Sequence, residues 1–185
     1  MHLAYLNLLW ILFALFGLGV FGAFPATSSI FALLRQEMKN GIAPTFKSFF
    51  KYFKKDFWKA NLLGWILMFV ACIVYIDFKM ITYLETDIKM FFYFSLLIVA
   101  IIALFVAFYL FPVYVHYDLE IKRYFLISLI IIFTYPIQSI LTAVVSLLNL
   151  YIMLNFPGLI PFFGMSLWAF CVSHISRSVF SDLVT

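Results

Sequence analysis

Four long stretches of the chain contain no Asp, Glu, Lys or Arg: Met1–Leu34, Ala60–Ile76, Met90–Tyr117 and Tyr124–Ser176. An α-helix of about 20 apolar residues is long enough to cross the hydrocarbon core of a bilayer. Each of the first three stretches therefore predicts one span, whereas the fourth is too long for one and predicts two, joined by a turn at Pro157-Gly158. The five predicted spans are 4–24, 60–77, 90–115, 136–156 and 159–177.

Pro136 lies inside the fourth stretch and leaves the start of the fourth span open. In one interpretation the span begins near Tyr124 and kinks at Pro136. In the other, Lys122–Tyr135 lies at the membrane interface and the span begins at Pro136, because proline is favoured in the first turn of a helix. We prefer the second interpretation, since 136–156 is already long enough to span the bilayer.

The overall composition agrees with a membrane protein. Of the 185 residues, 66% are apolar and 11% are charged, and the mean hydropathy is +1.12. Soluble domains are typically about 45–50% apolar and about 25% charged. These values exclude a soluble globule, a disordered chain and a nucleic-acid-binding protein. The predicted fold class is all-α, a polytopic transmembrane helical bundle forming a single membrane domain over 1–185, with the lipid bilayer as its surroundings.

The twelve Lys and Arg residues are distributed unevenly between the two sides that these spans define. Seven lie between spans one and two, two lie between spans three and four, and one follows span five. Only Lys79 and Lys89 lie on the opposite side. Because cytoplasmic loops are enriched in basic residues, we expect the N-terminus outside and the C-terminus in the cytoplasm.

Segment 41–59 precedes the second span and has the pattern of a basic amphipathic helix. Its phenylalanines share one side of that helix, here called the aromatic stripe: Phe46, Phe49, Phe50, Phe53 and Phe57. Its lysines share the other side: Lys47, Lys51, Lys54 and Lys55. Such a helix is expected to lie in the plane of the cytoplasmic interface. We favour a role in orienting the second span, and the alternative is that the aromatic stripe docks a partner subunit.

Four polar residues share one face of the fourth span, here called the polar stripe: Gln138, Thr142, Ser146 and Asn149. Polar groups inside a bilayer need partners, so this face should point into the protein or towards another chain. We favour hydrogen bonds between helices. The alternative is a lining of hydroxyls and amides that binds a sugar or another neutral polar ligand.

No motif in the sequence indicates a catalytic centre, a cofactor or a metal. A phosphate-binding loop of the Walker type is absent, so any ATP hydrolysis must come from another subunit. Cys72 and Cys171 both fall within predicted spans, where lone cysteines usually behave as small apolar residues. We therefore expect a protein that is not an enzyme.

Several short motifs follow one another in a characteristic order. Asn7-Leu8-Leu9-Trp10 opens an apolar segment, and Gly22-Ala23-Phe24-Pro25-Ala26-Thr27 closes it. The basic aromatic segment 49–57 leads into span two, and Tyr117-Asp118-Leu119 follows span three. This order resembles the YesL-like family of bacterial integral membrane proteins, a family of unknown function.

The resemblance implies a functional context but brings no catalytic residues. Members of that family are commonly found beside systems for carbohydrate uptake and polysaccharide degradation, often with ABC sugar transporters. The resemblance therefore implies an accessory role in the bacterial plasma membrane, next to such a transporter.

Two functions follow from these observations. We predict a non-enzymatic accessory or regulatory subunit that binds the permease subunits of a carbohydrate ABC transporter. The aromatic stripe and the missing ATPase motif favour this function. The alternative is a stand-alone substrate-binding or small transport protein, resembling the capture subunits of energy-coupling transporters, for which the polar stripe is the supporting feature. The sequence leaves a homo-oligomer open.

Overall fold

A computed structural model describes residues 2–83 and 86–182, without the side chains at 86, 87, 181 and 182. The described residues form helices and no strand, which confirms the predicted all-α bundle. The helices are α1 (His2–Phe16), α2 (Val20–Asn40), α3 (Phe46–Ile81), α4 (Thr86–His116), α5 (Ile121–Thr134), α6 (Pro136–Asn155) and α7 (Ile160–Asp182), with a single 3₁₀ turn at Pro157–Leu159 before α7.

Four helical segments of the described residues are long and apolar enough to cross a bilayer. They are Phe46–Ile81, Ile88–His116, Pro136–Asn155 and Pro157–Phe180. The chain is therefore a multi-pass membrane protein. Four of the five predicted spans overlap these segments, and the first predicted span does not.

The predicted first span, 4–24, is wrong as a single helix because the chain reverses inside it. Helix α1 ends at Phe16, and both Leu18 (φ 59°) and Gly19 (φ 75°) adopt left-handed backbone conformations. A residue in this conformation cannot continue a right-handed helix, and glycine adopts it without steric cost. Helix α1 alone, with 15 residues, is shorter than a bilayer span.

Helices α1 and α2 form a tight hairpin around this turn. A Cβ atom at Gly22 would collide with the backbone of Ala14, so only glycine permits the observed approach of the two helices. Farther from the turn, Trp10 Nε1 donates a hydrogen bond to Thr27 Oγ1 at 3.1 Å. The prediction of an external N-terminus requires that 4–24 cross the bilayer once. Because this segment forms a hairpin, that prediction no longer follows from the distribution of basic residues.

The basic amphipathic segment is continuous with the second span, whereas a separate helix in the interface plane was predicted. Helix α3 begins after Thr45, whose hydroxyl accepts a hydrogen bond from the Ser48 N–H at 3.3 Å. It then runs unbroken through 36 residues, a length of about 54 Å. Because the hydrocarbon core is only about 30 Å thick, one part of α3 must extend beyond it.

Helices α5 and α6 are separated at Tyr135, and α6 begins at Pro136, where the second interpretation starts the fourth span. The location of 122–135 at the membrane interface stays a prediction. Tyr135 has φ −122° and ψ 64°, which is outside the helical region. Helix α5 has only 14 residues and packs on α4, where the rings of Tyr114 and Tyr124 lie 5.2 Å apart.

Helices α2, α4 and α7 finish at the same end of the bundle, which we call the basic end. Arg35 Nη1 on α2 donates to the carbonyl oxygen of Val115 on α4 at 2.9 Å. The ring of His116 stacks on that of Phe180 on α7 at a centroid distance of 4.3 Å. These contacts bring Arg35 and Arg177, which are distant in sequence, to one cavity.

Candidate functional site

The aromatic stripe of α3 is only partly available to a partner. Phe49 and Phe53 are buried, and each ring lies 5.0 Å from the ring of Phe13 on α1. These two residues therefore belong to the core of the chain. We therefore expect a substitution at Phe49 to disturb folding, and docking of a partner by the aromatic stripe stays a prediction.

The rest of the aromatic stripe borders an apolar groove between α3 and the hairpin. Phe46 and Phe50 are 51% and 49% exposed, and Phe57 is half-buried. Leu18, at the hairpin turn, is 86% exposed. Together with Phe16 and Phe21 these residues line a cavity of about 570 Å³, which we call the aromatic groove. The four lysines of the segment, Lys47, Lys51, Lys54 and Lys55, are exposed, as the amphipathic pattern predicts.

The polar stripe of α6 points into the bundle and forms hydrogen bonds between helices. Thr142 Oγ1 lies 3.2 Å from the hydroxyl of Tyr109 on α4. Ser146 Oγ accepts a hydrogen bond from Trp168 Nε1 at 2.9 Å, and Asn149 Nδ2 donates to a carbonyl oxygen of α7 at 3.2 Å. The fourth member, Gln138, is half-buried, and its backbone carbonyl accepts from Thr142 Oγ1 at 2.9 Å.

Asn7 is a buried polar residue that sequence reasoning did not identify as a site. Its amide nitrogen donates to the carbonyl oxygens of Ile160 (2.9 Å) and Pro161 (2.7 Å). Its amide oxygen accepts from the N–H groups of Met165 (2.8 Å) and Ser166 (3.1 Å). Asn7 therefore joins α1 to the first turns of α7 by four hydrogen bonds. The available signal was an asparagine inside an apolar helix, which requires buried partners.

Two cavities lie side by side at the basic end and differ in how their charges are paired. The first contains Lys55 and Lys59 together with Asp56 and Asp118. Lys59 Nζ and Asp118 Oδ1 are 3.7 Å apart, and this is the single ion pair within the described part of the chain. Burial raises the pKa of the Tyr117 phenol in this cavity, so the phenol remains neutral at physiological pH.

The second cavity, which we call the cationic cavity, is lined by cations and by no carboxylate among the side chains that the structure describes. Its volume is about 470 Å³, and its basic residues are Arg35, Lys39 and Arg177. Sequence reasoning assigned these three residues to one side of the membrane but did not bring them into one site. Their proximity depends on the packing of α2 against α4 and α7.

Comparison with known proteins identifies relatives over nearly the whole chain. Residues 3–78 match the family described as "Protein of unknown function, DUF624". The chain is 36% identical over 181 residues to Uncharacterized protein YteU of Bacillus subtilis (strain 168), an alignment that covers 97% of this chain and 81% of the relative. It is 34% identical over 184 residues to Uncharacterized protein YesL of the same organism, covering 99% and 87%. No solved structure matches.

The order of motifs from Asn7 to the basic aromatic segment lies within the matched region 3–78. The two relatives extend the similarity through α7. The chain therefore belongs to the YesL-like family of membrane proteins of unknown function, DUF624.

Proposed function

We propose that the protein is a non-enzymatic accessory subunit that binds a permease chain of a carbohydrate ABC transporter in the bacterial plasma membrane. The observation that carries this proposal is the aromatic groove. The chain buries Phe49 and Phe53 but leaves Phe46 and Phe50 about half exposed beside Leu18. Exposed aromatic residues are enriched at protein–protein interfaces relative to the rest of the surface.

The charges beside the aromatic groove support a partner with both apolar and acidic groups. Lys47 and Lys51 are exposed next to Phe46 and Phe50, and neither has an ion-pair partner among the described residues. A transmembrane helix of a permease presents apolar side chains, and acidic residues at its cytoplasmic end would complement these lysines. The carbohydrate transporter itself is inferred from the family resemblance.

The alternative function, a stand-alone substrate-binding or small transport protein, receives less support. It requires polar groups of α6 that are free to bind a ligand. Thr142, Ser146 and the amide nitrogen of Asn149 already have partners within the chain. Among the described residues, the amide oxygen of Asn149 and the side-chain amide of Gln138 form no hydrogen bond, and these two groups alone are a small basis for binding a sugar.

We further propose that the basic end faces the cytoplasm. It contains Arg35, Lys39 and Arg177, and cytoplasmic ends of membrane helices are enriched in Lys and Arg. The C-terminal end of α7 is then cytoplasmic. Because α1 pairs with α2 as a hairpin, we now expect the N-terminus to point towards the basic end.

Site-specific photo-crosslinking tests the partner. A photoreactive phenylalanine analogue replaces Phe50, and the crosslinked protein is purified from native membranes and identified by mass spectrometry. We expect a crosslink to a permease chain of a carbohydrate ABC transporter. The matched control position is Phe133, which is 70% exposed on α5 and lies outside the aromatic groove.

The control decides how a crosslink is interpreted. If position 50 captures only lipid or a second copy of this chain, or if position 133 captures the same permease equally well, the proposal is wrong. Replacing both Phe46 and Phe50 with Ala should abolish co-purification of the permease without reducing the amount of protein in the membrane. Phe133→Ala should retain the permease.

A further inference from the structure

The cationic cavity contains positive charge that no described carboxylate pairs with, and one of its cations, Arg35, also borders the neighbouring cavity that contains Asp56 and Asp118. Arg35, Lys39 and Arg177 line it, and within the side chains that the structure describes none of them forms an ion pair. Arg35 donates one hydrogen bond, from Nη1 to the Val115 carbonyl oxygen at 2.9 Å. A guanidinium has five N–H donors, so most of those on Arg35 remain available to a ligand.

A buried hydroxyl in the same cavity also lacks a partner. Ser176 lines the cavity and is only 1% exposed. Its Oγ atom has no hydrogen-bond partner in the described part of the chain. A buried polar group without a partner is costly, and a bound ligand would remove that cost by accepting its hydrogen bond.

The remaining walls of the cavity are apolar. Phe31 on α2, Pro112 on α4 and Phe180 on α7 are all buried and border the space. The volume of about 470 Å³ is in the range of small-molecule binding sites, roughly 300–1,000 Å³. The cavity therefore combines a cationic part with apolar walls that can contact the rest of a ligand.

We propose that the cationic cavity binds a phosphate group, carried by a small soluble phosphomonoester or by an anionic lipid headgroup. A phosphate has several acceptor oxygens and up to two negative charges, so it can receive hydrogen bonds from both arginines and from Ser176 together. The proposal does not depend on the transporter partner, since the aromatic groove and the cationic cavity have no lining residue in common.

Thermal unfolding of the purified full chain in the neutral detergent dodecyl maltoside tests phosphate binding. Glycerol 3-phosphate should raise the unfolding midpoint in a saturable manner, whereas glycerol with sodium chloride at the same ionic strength should not. In a second arm the protein is reconstituted in nanodiscs that contain phosphatidic acid or only phosphatidylcholine. A response to glycerol 3-phosphate identifies a soluble ligand, and a response to phosphatidic acid alone identifies a lipid headgroup.

Three variants connect the response to this cavity. Arg177→Gln removes a charged donor and should weaken phosphate binding about tenfold or more. Ser176→Ala should weaken it about twofold to tenfold. It should not lower the midpoint of the ligand-free protein, because the Ser176 hydroxyl has no partner to lose. The matched control is Arg123→Gln, an exposed arginine that does not line the cavity.

Three results would overturn the proposal. The first is that neither phosphate-containing probe produces a saturable shift. The second is an equal shift with glycerol and sodium chloride. The third is that Arg123→Gln weakens binding as much as Arg177→Gln. The last result would indicate general attraction to a basic surface rather than a built site.

Discussion

The aromatic stripe of α3 and the polar stripe of α6 are both helical faces that contact the rest of the chain, but they do so by different physical means. Phe49 and Phe53 are buried against Phe13, where each ring makes many van der Waals contacts. Thr142 and Ser146 each make one side-chain hydrogen bond to a neighbouring helix. The aromatic stripe is therefore held by packing and the polar stripe by single polar contacts.

This difference determines which residues remain for a partner. Packing is selective along α3, because the small hairpin covers Phe49 and Phe53 but leaves Phe46 and Phe50 half exposed. Hydrogen bonding in α6 already uses the Thr142 and Ser146 hydroxyls and the amide nitrogen of Asn149, which a polar ligand would require. A periodic pattern thus predicts a face, whereas the neighbouring helices determine whether that face is free.

The largest expected effect is at the buried half of the aromatic stripe. Phe49→Ala should lower the free energy of unfolding by about 3–5 kcal/mol, because it leaves a cavity beside Phe13. Phe50→Ala, on the exposed half, should change it by less than about 1 kcal/mol. Titration of the purified protein with sodium dodecyl sulfate measures both values, and equal effects at 49 and 50 would contradict the division of the stripe.

An intermediate effect is expected at Asn7, a polar residue with several hydrogen bonds. Asn7→Leu leaves backbone groups of α7 without a side-chain partner and should cost about 1–3 kcal/mol. The control is Asn155→Leu, because Asn155 is exposed and bonds only within its own helix, to Tyr151. The same detergent titration applies, and no loss of stability at position 7 would show that the α1–α7 contact is dispensable.

The smallest effect is expected in the polar stripe. Ser146→Ala removes one hydrogen bond from Trp168 and should cost about 0.6 kcal/mol, the average for such contacts in a membrane. It should also shift the fluorescence emission of Trp168, whereas Ser95→Ala, on an exposed part of α4, should not. Loss of function in Ser146→Ala without any change in emission would favour ligand binding by the stripe over a structural role.

Much of the fold could be predicted from the sequence, since the charge-free stretches, together with Pro136 and the Pro157-Gly158 turn, predict where four of the spans lie. The first span could not be predicted correctly, because Gly17-Leu18-Gly19 stands inside an apolar segment with no charged residue. Glycine is tolerated in membrane helices, so its presence does not by itself predict a reversal. The reversal is visible only in the left-handed backbone at Leu18 and Gly19.

The sequence predicted the candidate sites that lie on one helix but not those that combine residues from several helices. Helical periodicity identifies the residues of the aromatic and polar stripes, because it depends only on positions within one helix. The cationic cavity combines Arg35 of α2 with Ser176 and Arg177 of α7, and the four bonds of Asn7 join α1 to α7. No local pattern connects residues that are so far apart in the chain.

The sequence by itself determined the class of protein, the approximate positions of four spans and the amphipathic character of α3. These properties follow from hydrophobicity and helical period, which are local quantities and act before any helix meets another. Tertiary structure decided which aromatic residues are buried, where the polar stripe finds its partners and which cations remain unpaired. Those outcomes depend on the close approach of separate helices, as at Gly22 and at the basic end, and that approach is set by the packing of the whole bundle.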